Sequence, residues 1–332
     1  MYTEEDITSA VDAGVLSQET AQAFRAHVAG LRQGPAVDEE HFRLVTGFND
    51  IFVVIASLLL LVSVGGIASV LADWIGAAAV AAVAWLLAEF FTRRRRMALP
   101  SIVLLLVFVS SVLSGAFLLP VPWQEAQSLA IACALATLAA WLHWRRFQVP
   151  ITVAAGAAAI VGFAIALLLW AVPGARYWLS VIAFIAGVLV FLLAMYWDTR
   201  DTARLTRKSD VAFWLHLLAA PLLVHPVFAA LGVFEGQMDL WRAAVVIVLY
   251  MAIGFISLCI DRRALMVSAL VYVMYAFSTL LEQYGVVSLS FALTALVIGS
   301  ALLLLSAFWH ASRAQVLRRV PQAVQRWLVP AR

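Results

Sequence analysis

A chain of 332 residues that is 64% hydrophobic and 12% charged, with a mean hydropathy of +0.98, is too apolar for a water-soluble domain and reads as an integral membrane protein. Its net charge of +3 is not the signature of a nucleic-acid binder, because the basic residues are dispersed over segment ends instead of gathered on one folded face. Cys133 and Cys259 both fall within apolar runs, so no disulfide framework is indicated.

The chain opens on acidic residues (Glu4, Glu5, Asp6) with no basic-then-apolar leader or cleavage site, so no signal peptide is expected. Thr3 with Asp6 can cap a short helix carrying Ile7, Ala10 and Val11, and Gly14 offers the left-handed position that stops it. Ser17 can cap a second helix with Ala21, Phe24 and Val28 at three- and four-residue spacing. Two helices of this length bury no core of their own, so residues 1–34 are expected to dock on a protein partner. Gly34-Pro35 and the acidic run Asp38 to Glu40 read as a linker, and His41 to Phe48 leads into the apolar region.

From 49 to 310, ten apolar runs are long enough to cross ~30 Å of hydrocarbon as helices. They cover 51–71, 74–91, 98–119, 126–144, 149–171, 177–197, 210–234, 240–260, 264–284 and 287–309, which predicts an all-α transmembrane bundle. Asp50 and Asp210 open the first and seventh spans, where an aspartate caps free N–H groups. Small residues four apart (Gly65 with Ser69, Ala77 with Ala81, Ala132 with Ala136, Ala158 with Gly162) predict close helix packing. Glu89 is the one acid well inside a span; it either snorkels to Arg93, four residues on, or couples a proton or cation.

Polar groups inside a bilayer mark function, because each costs several kcal/mol without a partner. The seventh span holds His216, Pro221, His225 and Pro226, and its prolines predict a broken helix of the kind that lines transporter sites. The two histidines are nine residues apart and point to opposite faces; they either bond separate neighbouring helices or border a pathway from its two ends. In the ninth span Ser268, Tyr272, Tyr275, Thr279 and Glu282 form one polar stripe, an interhelical seam or the wall of a pathway. Ser110, Ser111 and Ser114 of the third span are candidates for the facing surface. The tail, 311–332, predicts a helix over 314–328 on the membrane surface. There Leu317, Val320, Val324, Trp327 and Leu328 form the apolar face, and Arg318, Arg319 and Arg326 reach anionic headgroups, with Pro321 bending the first turn.

Charge orients the bundle. All Lys and Arg except Arg176 and Arg242 fall on one side: Arg25, Arg32 and Arg43; Arg93 to Arg96; Arg145 and Arg146; Arg200, Arg204, Arg207 and Lys208; Arg262 and Arg263; and the five arginines of the tail. That side is expected to be the cytoplasm, with both termini in it. The turns near Asp73, Trp123, Gly174, Gln237 and Gly285 then face outward. Trp74, Trp123, Trp170, Trp178 and Trp241 at outer ends, and Trp141, Trp144, Trp197, Trp214 and Trp309 at inner ends, place indoles in the two interfacial belts. The basic breaks recur every 50 to 60 residues with similar restarts (Ala98-Leu99-Pro100, Val149-Pro150-Ile151, Ala264-Leu265-Met266). Either a hairpin duplication or any short-looped array with its positive charge on one side gives this spacing.

The helical pair with its Ala13-Gly14-Val15-Leu16-Ser17 element, followed by many apolar helices, resembles the bacterial membrane proteins grouped as domain-of-unknown-function family 2157. The segment Gly47 to Phe52 and the run Asp210 to Pro226 are similar to proteobacterial membrane proteins. The resemblance implies a multi-pass inner-membrane protein and carries no catalytic residues. No phosphate-binding loop, His-Glu-x-x-His, Gly-x-Ser-x-Gly or paired intramembrane aspartates occur, so no enzyme, cofactor or metal is expected. Two functions remain: a membrane scaffold or envelope-associated factor with a partner-binding helical pair, or a small-solute or lipid transporter similar in size and topology to drug/metabolite transporters.

Overall fold

The computed structural model describes residues 4–31, 48–172, 174–201, 204, 206–232, 240–283, 290–321, 325 and 328. The linker around Gly34-Pro35, the turns at Gln237 and Gly285, and most of the tail beyond Pro321 lie outside them, as does Thr3. The described residues form thirteen α-helices and no strand. They fall into two units, Met1–Leu44 and Val45–Arg332.

The first unit is the expected helical pair, α1 (Glu4–Asp12) and α2 (Gln18–Leu31). Gly14 takes φ +69° and reverses the chain, a conformation only glycine adopts cheaply. The Ser17 hydroxyl accepts the Thr20 N–H at 3.1 Å, the N-cap bond read from the sequence. Ala21 is buried, while Val15 and Phe24 are 76% and 46% exposed.

The second unit runs α3 (Phe48–Ser69), α4 (Asp73–Ala88, prolonged by a π-helical turn Glu89–Arg94), α5 (Ala98–Phe117), α6 (Glu125–Phe147) and α7 (Ile151–Ala171). A 3₁₀ turn at Ala175–Trp178 leads into α8 (Leu179–Thr199). Then come α9 (Arg207–Ala230), α10 (Leu240–Ile260), α11 (Ala264–Gln283), α12 (Ser290–Ala307) and α13 (Trp309–Arg319). Among the described residues nine helices are long and apolar enough to cross a membrane. The tenth expected span, 287–309, holds α12, which counts as a crossing only when Thr294–Ala307 is joined with Ala311–Arg319 of the expected tail across a 79° bend. The surface is apolar, with Leu59, Val62, Leu189, Val248 and Met251 all more than 60% exposed, as a lipid-facing surface requires.

Successive helices pack as hairpins, and those turning at the basic end (α4 with α5, α6 with α7, α8 with α9, α10 with α11) include the most extensive contacts. Each of these four turns reverses through one non-glycine residue at positive φ: Arg96 at 53°, Gln148 at 52°, Arg204 at 55° and Asp261 at 59°. The regular spacing of basic breaks is therefore also a repetition of backbone geometry, at a conformational cost of about 1–2 kcal/mol per turn. Small residues of the expected pairs meet across helices, except Ala158, which is exposed. A Cβ on Gly76 would lie 2.9 Å from Ser69 Cβ, and Ala132 and Ala136 are fully buried.

The backbones of α8 and α9 also approach closely. A Cβ on Gly187 would sit 2.9 Å from the Leu222 carbonyl carbon. Leu222 is the residue whose carbonyl Pro226 leaves without its i+4 donor. Gly187→Ala is therefore expected to push α8 off α9 and cost ~1–3 kcal/mol, the usual penalty of overpacking. Thermal unfolding of the purified protein in detergent checks this; an unchanged midpoint would show that the contact yields freely.

The helix expected over 314–328 is instead Trp309–Arg319, and Val320 is extended at φ −83°, ψ 134°. Pro321 acts on its predecessor: its ring crowds the backbone of Val320 and forces that residue out of the helical region, so the helix ends before the proline instead of bending through it. Leu317 and Leu328 then pack into a core with Ala220, Ile260, Ala264 and Leu265 instead of facing lipid.

Candidate functional site

The sequence-predicted residues divide into two places. Helix α9 is continuous through Pro221 and Pro226, so the expected broken helix is not formed. A proline φ near −65° is itself helical, and removing single N–H donors leaves the path intact when a neighbour packs against it. Its cap is Thr206, whose hydroxyl accepts the Lys208 N–H; Asp210 lies one turn further in. At the far end, His225 Nδ1 lies 2.8 Å from Tyr272 Oη, and Tyr272 stacks on Phe228 with ring centroids 4.9 Å apart. The structure thus joins one histidine of α9 to one hydroxyl of the α11 stripe.

The rest of that stripe is not a single lining. The buried face of α11 is Ala269, Val273 and Ala276; the stripe lies beside it, and Tyr275 is 37% exposed. Thr279 donates to the Tyr275 carbonyl of its own helix. Ser268 is half-buried, and the Glu282 side chain lies outside the described residues. The serines of α5 do not face the stripe. That helix packs on α3, α4, α6 and α7, and Ser110 and Ser114 donate to the carbonyls of Val107 and Ser111 within α5.

His216 belongs to a different and denser site, which the span-by-span reading missed. Asp198, at the end of α8, accepts Arg262 Nη2 at 2.6 Å and Arg262 Nε at 3.3 Å. His216 Nε2 is 2.9 Å from the same carboxylate. Arg262 Nη2 also reaches the Ser209 carbonyl at 3.2 Å, and the Arg262 carbonyl accepts the Ser257 hydroxyl. Arg262 and His216 are 2% and 1% exposed, and Asp198 3%. The His216 ring packs edge-on to Phe191 at 5.3 Å.

A second knot lies in the α10–α11 turn. Asp261 accepts Arg204 Nη1 at 3.0 Å and Trp309 Nε1 at 2.8 Å, with Arg313 Nε at 3.4 Å. Arg204 also donates to the Asp261 carbonyl, and Arg313 to the Leu258 carbonyl. Asp201 accepts the Thr206 backbone N–H and hydroxyl at 2.9 and 2.7 Å, fixing the entry to α9. Trp309 is therefore a buried donor, 2% exposed, and not a member of an interfacial belt.

Three buried acids, Asp198, Asp201 and Asp261, and three buried arginines, Arg204, Arg262 and Arg313, balance in sign. Together they tie α8, α9, the α10–α11 turn and α13 at the basic end. A carboxylate shared by a guanidinium and an imidazole can orient and hold. Among the described residues no group of three or more His, Cys, Asp or Glu side chains gathers to hold a metal ion. The missed signal was present in the loops: aspartates in Asp198-Thr199-Arg200-Asp201 and Asp261-Arg262-Arg263 interrupt runs read only as basic topology markers.

The chain matches no family model, no curated protein and no solved structure. What stands of the resemblance carried by residues 13–17 is the coarser statement, a many-helix membrane protein.

Proposed function

We propose that the protein is a multi-pass scaffold of a bacterial inner membrane, with both termini in the cytoplasm, no catalysis of its own, and a helical pair at residues 1–34 that recruits a protein partner. The observation that carries this is the buried ionic clamp at the basic end. Alternating access requires helices to part at each end in turn. Parting α8, α9 and α13 there would strand buried guanidiniums and carboxylates at several kcal/mol apiece, so these helices are built to stay together at the basic end. The exposed Val15 and Phe24 of the helical pair supply the apolar surface a partner needs, and the one-sided charge supports the orientation.

The test is complementation of a deletion strain by full-length variants. Removing residues 1–34 is expected to abolish complementation, whereas His225→Ala and Tyr275→Phe, expressed at normal levels, restore it fully. The reverse pattern would overturn the scaffold reading. Orientation is checked separately with single cysteines at Asp73, Trp123 and Gly174, which are expected to react with an impermeant thiol reagent in whole cells; labelling at Arg94 instead would invert the topology.

A second reading, a lipid transporter, is favoured by a cavity of about 500 Å³ among α10, α11, α12 and α13, walled by Met251, Gly254, Phe255, Phe277, Val297 and Leu302. The Tyr250 hydroxyl at this cavity is buried with no hydrogen-bond partner among the described residues, as a polar anchor for an apolar ligand would be. Filling the cavity with Gly254→Phe separates the two: it destroys complementation only under the lipid reading.

A further inference from the structure

The basic end of α4 finishes in a π-helical turn, Glu89–Arg94, closed by the bond from Arg95 N–H to the Phe90 carbonyl at 3.0 Å. Such turns are rare and concentrate at functional sites. Closing i to i+5 widens the turn, so that Arg93 and Arg94 both come round to the side of Glu89. They meet Arg146 of α6 there, and with Leu86 and Phe90 they wall a cavity of about 530 Å³. Arg146 holds the Glu89 carboxylate bidentately, Nε to Oε1 at 2.6 Å and Nη2 to Oε2 at 3.0 Å, and Arg93 Nη1 stands 3.6 Å from Oε2. Spacing along the helix pairs Glu89 with Arg93, but its stronger partner in the structure is Arg146 of α6.

Three arginines and one glutamate line the groove, so it is net positive. It ends the membrane-crossing helix Asp73–Arg94, where headgroups lie. Leu86 and Phe90, 66% and 42% exposed, continue it toward the apolar surface. We propose that this groove binds the phosphate of an anionic phospholipid, with Arg93, Arg94 and Arg146 around the phosphate and Leu86 and Phe90 against the adjoining acyl chain. Basic pockets between membrane helices recognise headgroups this way, and Glu89 fixes the Arg146 guanidinium in place through Nε and Nη2, leaving its remaining N–H donors for the phosphate. The proposal is independent of the scaffold reading.

The test uses the full-length protein in nanodiscs of phosphatidylcholine with increasing phosphatidylglycerol, and native mass spectrometry to count retained lipid. Wild type is expected to retain phosphatidylglycerol in preference to phosphatidylcholine. Arg93→Gln with Arg94→Gln should raise the half-saturating phosphatidylglycerol fraction roughly thirtyfold, about fivefold per arginine lost. Arg145→Gln with Arg200→Gln removes equal charge from residues stacked on Trp141 and Tyr196 outside the groove and should weaken retention clearly less than the groove pair does. If the groove pair impairs folding, Arg94→Gln alone, which makes none of the Glu89 contacts, should give the fivefold effect. Equal weakening by both pairs, no weakening by the groove variants, equal retention of both lipids, or displacement of phosphatidylglycerol by millimolar inorganic phosphate would each overturn the proposal.

Discussion

Asp198→Ala is expected to be among the most destabilising single substitutions in the chain, at about 3–5 kcal/mol. The carboxylate is 3% exposed and serves two partners at once, Arg262 at 2.6 Å and His216 at 2.9 Å. Its removal leaves a guanidinium buried beside an unpaired imidazole. A buried ion pair adds little over a well-packed apolar pair, because desolvation offsets most of the attraction; breaking only one side is what is costly. The double variant Asp198→Leu with Arg262→Met is therefore expected to recover most of the loss, and the single Arg262→Met to be nearly as harmful as Asp198→Ala. Unfolding of the purified protein in mixed micelles, followed by circular dichroism, measures this. A loss below about 1 kcal/mol for Asp198→Ala would put the pair in the range of exposed ion pairs and remove the argument that the basic end is clamped.

The helices were legible because the bilayer imposes one rule, about twenty apolar residues per crossing, and the ten expected spans fall within a few residues of the helices found. Helix α10 starts and stops at Leu240 and Ile260, as read. The cap at Ser17 and the reversal at Gly14 were also legible, since each depends on a single residue acting locally. The buried clamp was not. Periodicity places residues on a helix face but does not say which distant turns meet, and Asp198 and Arg262 are joined across 64 positions. The bias toward positive charge on one side misled in a specific way. It explains why arginines collect at one end, and so gave no reason to expect that Arg204, Arg262 and Arg313 turn inward against three aspartates. Likewise the prolines of α9 marked a weak place in the helix, but whether it breaks depends on the neighbour, and Gly187 lets α8 close on it.

Asp261 offers the second large effect and separates charge from backbone strain. It stands at φ +59°, where a non-glycine residue costs about 1–2 kcal/mol, and its carboxylate receives Arg204, Trp309 and Arg313. Asp261→Gly relieves the backbone and strands the donors; Asp261→Ala strands them and keeps the strain; Asp261→Asn keeps an acceptor oxygen and a residue tolerant of positive φ but loses the charge. If the carboxylate is what holds α13 to the α10–α11 turn, Asp261→Gly is expected to remain destabilising by about 2–3 kcal/mol despite the relief, since breaking a buried pair costs about 3–5 kcal/mol. Asp261→Ala is expected to be the worst and Asp261→Asn the mildest. Cys259 supplies a local readout: it is half-buried against the core cluster that includes Leu317 of α13, so detachment of α13 should speed its alkylation severalfold while the buried Cys133 stays slow. An order in which glycine is the mildest of the three would mean that strain at this turn, and not the charge, sets its stability.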